Sequence, residues 1–146
     1  MLFRMIIKLQ ILARAIPYLF AIALLVSMGG CSKKISDRAI TNIAVADASK
    51  KHTGSADILF VDARSAAEYN ERHIRGAVHV DLRDFDPDAP PAIFRRAKEI
   101  VVYGNDPGSA TAIALTKRLI KAEFKRVYFL RDGLNGWVAR SLPTEP

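Results

Sequence analysis

The sequence predicts one α/β domain built on a mostly parallel sheet flanked by helices. Three observations predict it. The runs Ile58-Leu59-Phe60-Val61, Ile100-Val101-Val102-Tyr103 and Val127-Tyr128-Phe129-Leu130 are short, almost wholly apolar and rich in β-branched residues, as strands buried on both faces are. Segments with helical spacing and helix-start signals separate these runs, and strands that alternate with helices imply parallel crossovers. The length, 146 residues, suits one ordinary domain and is short for two.

The elements follow in order. Ala44 to Lys51 reads as a short helix ended by Gly54. Ile58 to Val61 is the first buried strand. Ser65 to Glu71 is a helix, with Ser65 as N-cap and Glu68 three residues later completing a capping box. Ala77-Val78-His79-Val80 reads as another strand. Asp84 to Pro91 holds three Asp and three Pro and must be loop. Ile93 to Lys98 allows one or two helical turns. After the strand at 100–103, Gly104-Asn105-Asp106-Pro107-Gly108 is a turn-forming loop. Ser109 then caps a helix to Ala122, with Ala112, Leu115, Leu119 and Ala122 as its buried face. Asp132-Gly133 turns after the third strand, and Leu134 to Ala139 forms a last helix around Trp137.

Composition excludes several function classes. Half of the residues are hydrophobic and a quarter charged, which excludes a wholly disordered chain. One cysteine excludes an intramolecular disulfide framework and a multi-cysteine metal site; the sequence implies neither metal nor cofactor. The formal charge is +7, but Arg4, Lys8 and Arg14 stand in a first segment without acids, leaving 19 basic against 15 acidic residues from position 31 on. A nucleic-acid binder would concentrate its charge on the folded domain, so no nucleic-acid partner is expected.

The first thirty residues read as an address. A positive flank precedes Ala15 to Met28, fourteen residues without a charge. A spanning helix wants roughly 20 apolar residues, a secretory signal about 7–15. The run closes on Ser27-Met28-Gly29-Gly30-Cys31, which resembles a bacterial lipoprotein signal peptide, with Met28 where that class prefers Leu. The resemblance implies cleavage before Cys31, a lipid on its thiol as the chain's membrane partner, a polar tether over residues 31–37 and a domain over 38–146 facing the periplasm or extracytoplasmic side. An uncleaved membrane helix, or a signal cut elsewhere with Cys31 a free thiol, are the other readings of the same residues.

Asp62-Ala63-Arg64, Glu68-Tyr69 and His73-Ile74-Arg75-Gly76-Ala77 resemble the first signature of the rhodanese family. The strand at 100–103 with its six-residue loop and helix does so too, as do Val127–Leu130, Gly133, Trp137 and Leu142-Pro143-Thr144-Glu145. The resemblance spans about residues 38 to 146. Departures fall at Arg72, Arg75 and Asp132-Gly133, where the family usually has Gly, Pro and a Gly pair. Asp62 and Arg64 are expected to tie loops by charge-assisted hydrogen bonds, with a substrate contact as the other reading, and His73 to be a packed loop histidine, with a general base as the other reading. In active rhodaneses the residue after Tyr103 is the cysteine that carries sulfur as a persulfide; here it is Gly104, which has no nucleophile. The loop also offers no Lys or Arg for thiosulfate and carries Asp106 instead.

The resemblance therefore implies a non-catalytic rhodanese-like lipoprotein of the bacterial envelope, acting as a binding or scaffolding module with an envelope protein partner. The alternative is a sulfurtransferase of unusual mechanism or one completed by a partner's thiol; a mainly structural role in a larger complex is the third reading. The loop from Gly104 through Asn105, Asp106, Pro107 and Gly108 to Ser109 leads into a helix N-terminus, where backbone N–H groups suit a weak anion ligand or stand as a solvated relic. Lys117, Arg118, Lys121 and Lys125 form one side of the long helix, either simply solvated or drawn to anionic headgroups or an acidic partner.

Overall fold

The computed structural model of the chain describes residues 34–54 and 57–146. The signal segment 1–30, the lipid site Cys31 and the start of the tether lie outside the described residues. A single 3-10 turn, Asp37–Ala39, leads into β1 (Thr41–Ile43) and α1 (Val45–Gly54). There follow β2 (Ile58–Asp62), α2 (Ala66–Glu71), β3 (His73–Ile74), β4 (Val78–His79), α3 (Ala92–Arg96) and β5 (Glu99–Tyr103). The chain closes with α4 (Ala110–Lys121), β6 (Val127–Leu130), α5 (Gly133–Val138) and β7 (Thr144–Glu145).

Five strands form one parallel sheet in the order β1-β6-β5-β2-β4. The central register sets Ile58 beside Glu99 and Ile100 beside Val127. The remaining pair, β3 with β7, is a separate antiparallel ribbon with His73 opposite Glu145. Side chains alternate between the faces of the sheet, and this creates two cores. Leu59, Val61, Ile100, Val102 and Phe129 point one way, onto Leu115 and Leu119 of α4 and onto Phe85 and Phe94. Phe60, Val101, Tyr103 and Leu130 point the other way, onto Val45 of α1 and Trp137 of α5. Each of these large side chains contributes about 1.5–3 kcal/mol by leaving water. Trp137, wholly buried, also donates its indole N–H to Pro143 O at 3.0 Å.

The structure departs from the sequence expectations at several points. The helix from Ala44 runs on through Gly54 instead of ending before it. The strand at 77–80 keeps only Val78 and His79. Ala122 lies past the last turn of α4, and buried Thr116 joins that helix's core face, its hydroxyl donating to Ala112 O at 2.8 Å. The basic stripe is divided. Lys117 pairs with Asp37 at 2.5 Å, and Arg118 reaches away to donate to the carbonyls of Leu82 and Phe85, so it clamps the loop after β4. Only Lys121 and Lys125 remain exposed.

Candidate functional site

The loop after β5 leaves the C-terminal edge of the parallel sheet between the β2 end and α5. Two straps hold it. The first begins with the buried carboxylate of Asp62 at the end of β2. Arg64 grips it with Nε at 3.0 Å and a terminal nitrogen at 2.7 Å, and both residues are almost wholly buried. The guanidinium also donates to Arg72 O at 2.5 Å and to Asn105 Oδ1 at 3.3 Å. Asn105 in turn donates from Nδ2 to Glu68 Oε1 at 2.6 Å. Asp62 and Arg64 are thus joined to the loop through Asn105.

Glu68 is the hub that ties this strap to α2. The expected capping box is present: the Ser65 hydroxyl and N–H both donate to Glu68 Oε2, at 2.6 and 3.1 Å. The Ser65 hydroxyl, the Asn105 amide and the Ser65 N–H together hold the Glu68 carboxyl down at about 2. Beneath the loop, burial first and the Asp62 charge second push the Tyr103 phenol far up, so it stays a neutral hydroxyl that accepts from Ile74 N at 3.1 Å.

The second strap is backbone. Leu134 N donates to Gly104 O at 2.8 Å and Asn135 N to Asn105 O at 3.0 Å. This close approach explains Gly133. Its φ is +58°, and a Cβ there would stand 2.5 Å from Gly104 O and from the Asn105 carbonyl carbon.

The interior of the loop is filled by its own residues. Asp106 Oδ1 accepts from Gly108 N at 2.8 Å, and Asp106 O accepts from Ser109 N at 3.2 Å. Two of the loop N–H groups that an anion would use therefore already serve Asp106. Ser109 precedes α4 as expected, but its hydroxyl makes no capping bond. The side chain turns back over Gly104 instead. A Cβ built at Gly104 would fall 1.9 Å from Ser109 Oγ and 2.3 Å from Ser109 Cβ. The space where residue 104 would carry a side chain is occupied by Ser109.

Among the described residues no base serves that hydroxyl. Its polar neighbour is Thr111 Oγ1 at 3.4 Å. All three histidines hold backbone carbonyls elsewhere: His52 on Arg75 O, His73 on Tyr69 O and His79 on Arg64 O, at 2.7, 2.9 and 2.9 Å. His73 is buried and stacked on the Tyr69 ring with centroids 3.9 Å apart, and it lies in the strand β3 where a loop position was expected. Among the described residues no cluster of His, Cys, Asp or Glu is placed to hold a metal ion.

Beside the loop lies an open groove of about 400 Å3. Glu68, Glu71 and Arg72 form one wall, Leu134, Asn135 and Val138 the other, and Asn105 lies between. Sequence reasoning missed it. The only signal was the spacing of 134, 135 and 138 on one side of the last helix, a pattern that core packing explains equally well. Val138 is an exposed large apolar side chain, and Glu71 and Arg72 are exposed and of opposite sign.

A parallel five-stranded sheet, a strand-to-helix loop strapped at its C-terminal edge and an Asp-Arg pair behind the loop define a rhodanese-type domain. The chain belongs to the rhodanese-like domain family, whose model matches residues 45–140. It is 30% identical over 83 residues to a thiosulfate sulfurtransferase, GlpE, of Coxiella burnetii, a match covering 57% of this chain and 74% of that protein. Among solved structures it resembles the BH2092 protein of Bacillus halodurans, with TM-score 0.62 and 25% identity over 74% of this chain and 78% of that one. It also resembles the RPA3614 protein of Rhodopseudomonas palustris, described as of unknown function and a possible tyrosine phosphatase, with TM-score 0.64 and 26% identity over 75% of this chain and 87% of that one.

Proposed function

We propose that this chain is a membrane-tethered, non-catalytic rhodanese-like lipoprotein that works as a binding or scaffolding module in the bacterial envelope. One observation carries the reading. Where the rhodanese resemblance places the sulfur-carrying cysteine there is Gly104, and the Ser109 side chain occupies the room a side chain would need. Glycine cannot form a persulfide, and a hydroxyl without a base is a poor substitute. The loop adds Asp106, whose charge opposes an approaching anion such as thiosulfate. What the fold keeps is a firmly strapped loop beside an open, partly apolar groove, which suits recognition of a protein segment. The pattern ending in Cys31 supports the tether, since a thiol is the group a lipoprotein signal presents for acylation.

The experiment is sulfur transfer from thiosulfate to cyanide by residues 34–146, which contain no cysteine. Turnover at the background rate is expected, and robust turnover refutes the reading. Metabolic fatty-acid labelling of the full chain tests the tether: Cys31→Ser should abolish it. The alternative, a sulfurtransferase completed by a partner's thiol, draws on the likeness to GlpE. It requires that adding the partner restore transfer without any change at position 104.

A further inference from the structure

We propose that the end of the domain opposite the loop is a docking surface for anionic lipid headgroups, so that the tethered domain stands on the membrane with its groove facing away. The proposal rests on the tether reading and adds the orientation to it. In a parallel sheet all strands begin at one edge, and here that edge is basic. Lys98 and Arg126 precede β5 and β6; Lys125 stands beside them; Lys121 ends α4; Lys50 and Lys51 lie in the second half of α1. Four carboxylates share this end: Asp57, Glu99, Glu123 and Asp47, which pairs with Lys50 at 3.4 Å. Six cations against four carboxylates leave an excess of two positive charges, half of the +4 that the chain carries from residue 31 on.

The chain enters the domain at the same end. Asp37 is pinned to Lys117 at 2.5 Å, and Lys121 is the next residue along that face of α4. Two residues, Ser32 and Lys33, separate Cys31 from Lys34, a span of about 10 Å when fully extended. A lipid on Cys31 would therefore hold the point where the chain enters the domain near the headgroups, and an exposed cation close to an anionic surface is attracted to it within about one Debye length, ~8 Å at physiological ionic strength. Lys121 and Lys125 are exposed and, among the described residues, in no ion pair. The groove and the 104–109 loop lie at the other edge, beyond the strand ends at Tyr103 and Leu130.

The test uses residues 34–146, which form one compact unit, and co-sedimentation with phosphatidylcholine vesicles with or without phosphatidylglycerol. Binding is expected only with phosphatidylglycerol, and it should weaken as salt rises. Lys121→Gln with Lys125→Gln should lower partitioning about 25-fold, fivefold per lysine, with the melting temperature as a check on folding. Arg83→Gln with Arg131→Gln, at the opposite edge, should leave it unchanged. Absence of binding to phosphatidylglycerol overturns the proposal and leaves the basic edge to an acidic protein, as does equal loss in both pairs. Binding by the domain while Cys31 in the full chain takes no label would refute the tether and leave the docking surface standing.

Discussion

Restoring a thiol to the loop tests whether Ser109 closes it. Gly104→Cys places a Cβ 1.9 Å from Ser109 Oγ and 2.3 Å from Ser109 Cβ, well inside van der Waals contact, with Ala112 Cβ at 3.4 Å behind them. Rotating the hydroxyl away does not suffice, because Ser109 Cβ itself is too near; the loop backbone has to move. Overpacking of this kind costs about 1–3 kcal/mol, which for a domain of this size lowers the melting temperature by roughly 4 °C per kcal/mol. Ser109→Gly removes both offending atoms. It costs only a few tenths of a kcal/mol, because Ser109 makes no capping bond and glycine is accepted at an N-cap. Gly104→Cys with Ser109→Gly should therefore recover most of the loss, giving a coupling energy of at least about 1 kcal/mol. The assays are thermal denaturation of the four members of the cycle in residues 34–146 and the rate of thiol alkylation. The thiol should react slowly in the single variant and faster in the pair. A single variant as stable as the parent, with a readily alkylated thiol, would refute the plugged loop.

Three further outcomes are expected. Arg64→Met strips the buried Asp62 carboxylate of its guanidinium and should destabilise the domain by about 3–5 kcal/mol in urea denaturation; a loss under about 1 kcal/mol would show the pair to be dispensable. Glu68 has its carboxyl held at about 2, below the ordinary 4.5, so its contribution is fully present above 4.5 and is lost as pH falls towards 2. Glu68→Gln should flatten that stretch of the stability-against-pH curve, and an unchanged acid slope would count against the Ser65-Asn105 strap. Gly133→Ala meets both a positive φ and backbone atoms at 2.5 Å, and should cost at least about 2 kcal/mol, read from chemical denaturation.

The three central strands were legible because burial on both faces leaves an unbroken apolar run, a signal that needs no partner to be seen. β1 was not, since Thr41-Asn42-Ile43 is short and half polar and becomes a strand only by pairing with β6, more than eighty residues later. The ribbon of β3 and β7 escaped for the same reason: two-residue strands joined across seventy residues leave no local periodicity. In the site, Asp62 and Arg64 were readable as a strand-end tie, and Ser65 with Glu68 as a capping box, because both are local. Ser109 misled because local rules give a serine before a helix to the helix. The vacancy above Gly104 is a tertiary feature, and it takes the side chain instead. Lys117 and Arg118 looked like part of a solvated stripe, since nothing near them in sequence announces Asp37 or the carbonyls of Leu82 and Phe85.

The edge strand β1 also has a mechanical meaning. It pairs with β6 at three register positions, and among the described residues its other side has no neighbour in the sheet. A pull on the N-terminal segment is borne first by the Lys117–Asp37 contact and then by this short ladder. Peeling it away leaves β6-β5-β2-β4 paired, together with both straps on the 104–109 loop. The tear would stop at Val45 and Ala48, which are wholly buried in the second core. β1 is thus placed to act as a fuse: under tension on the N-terminal segment it would yield before strain travelled along the sheet to the groove.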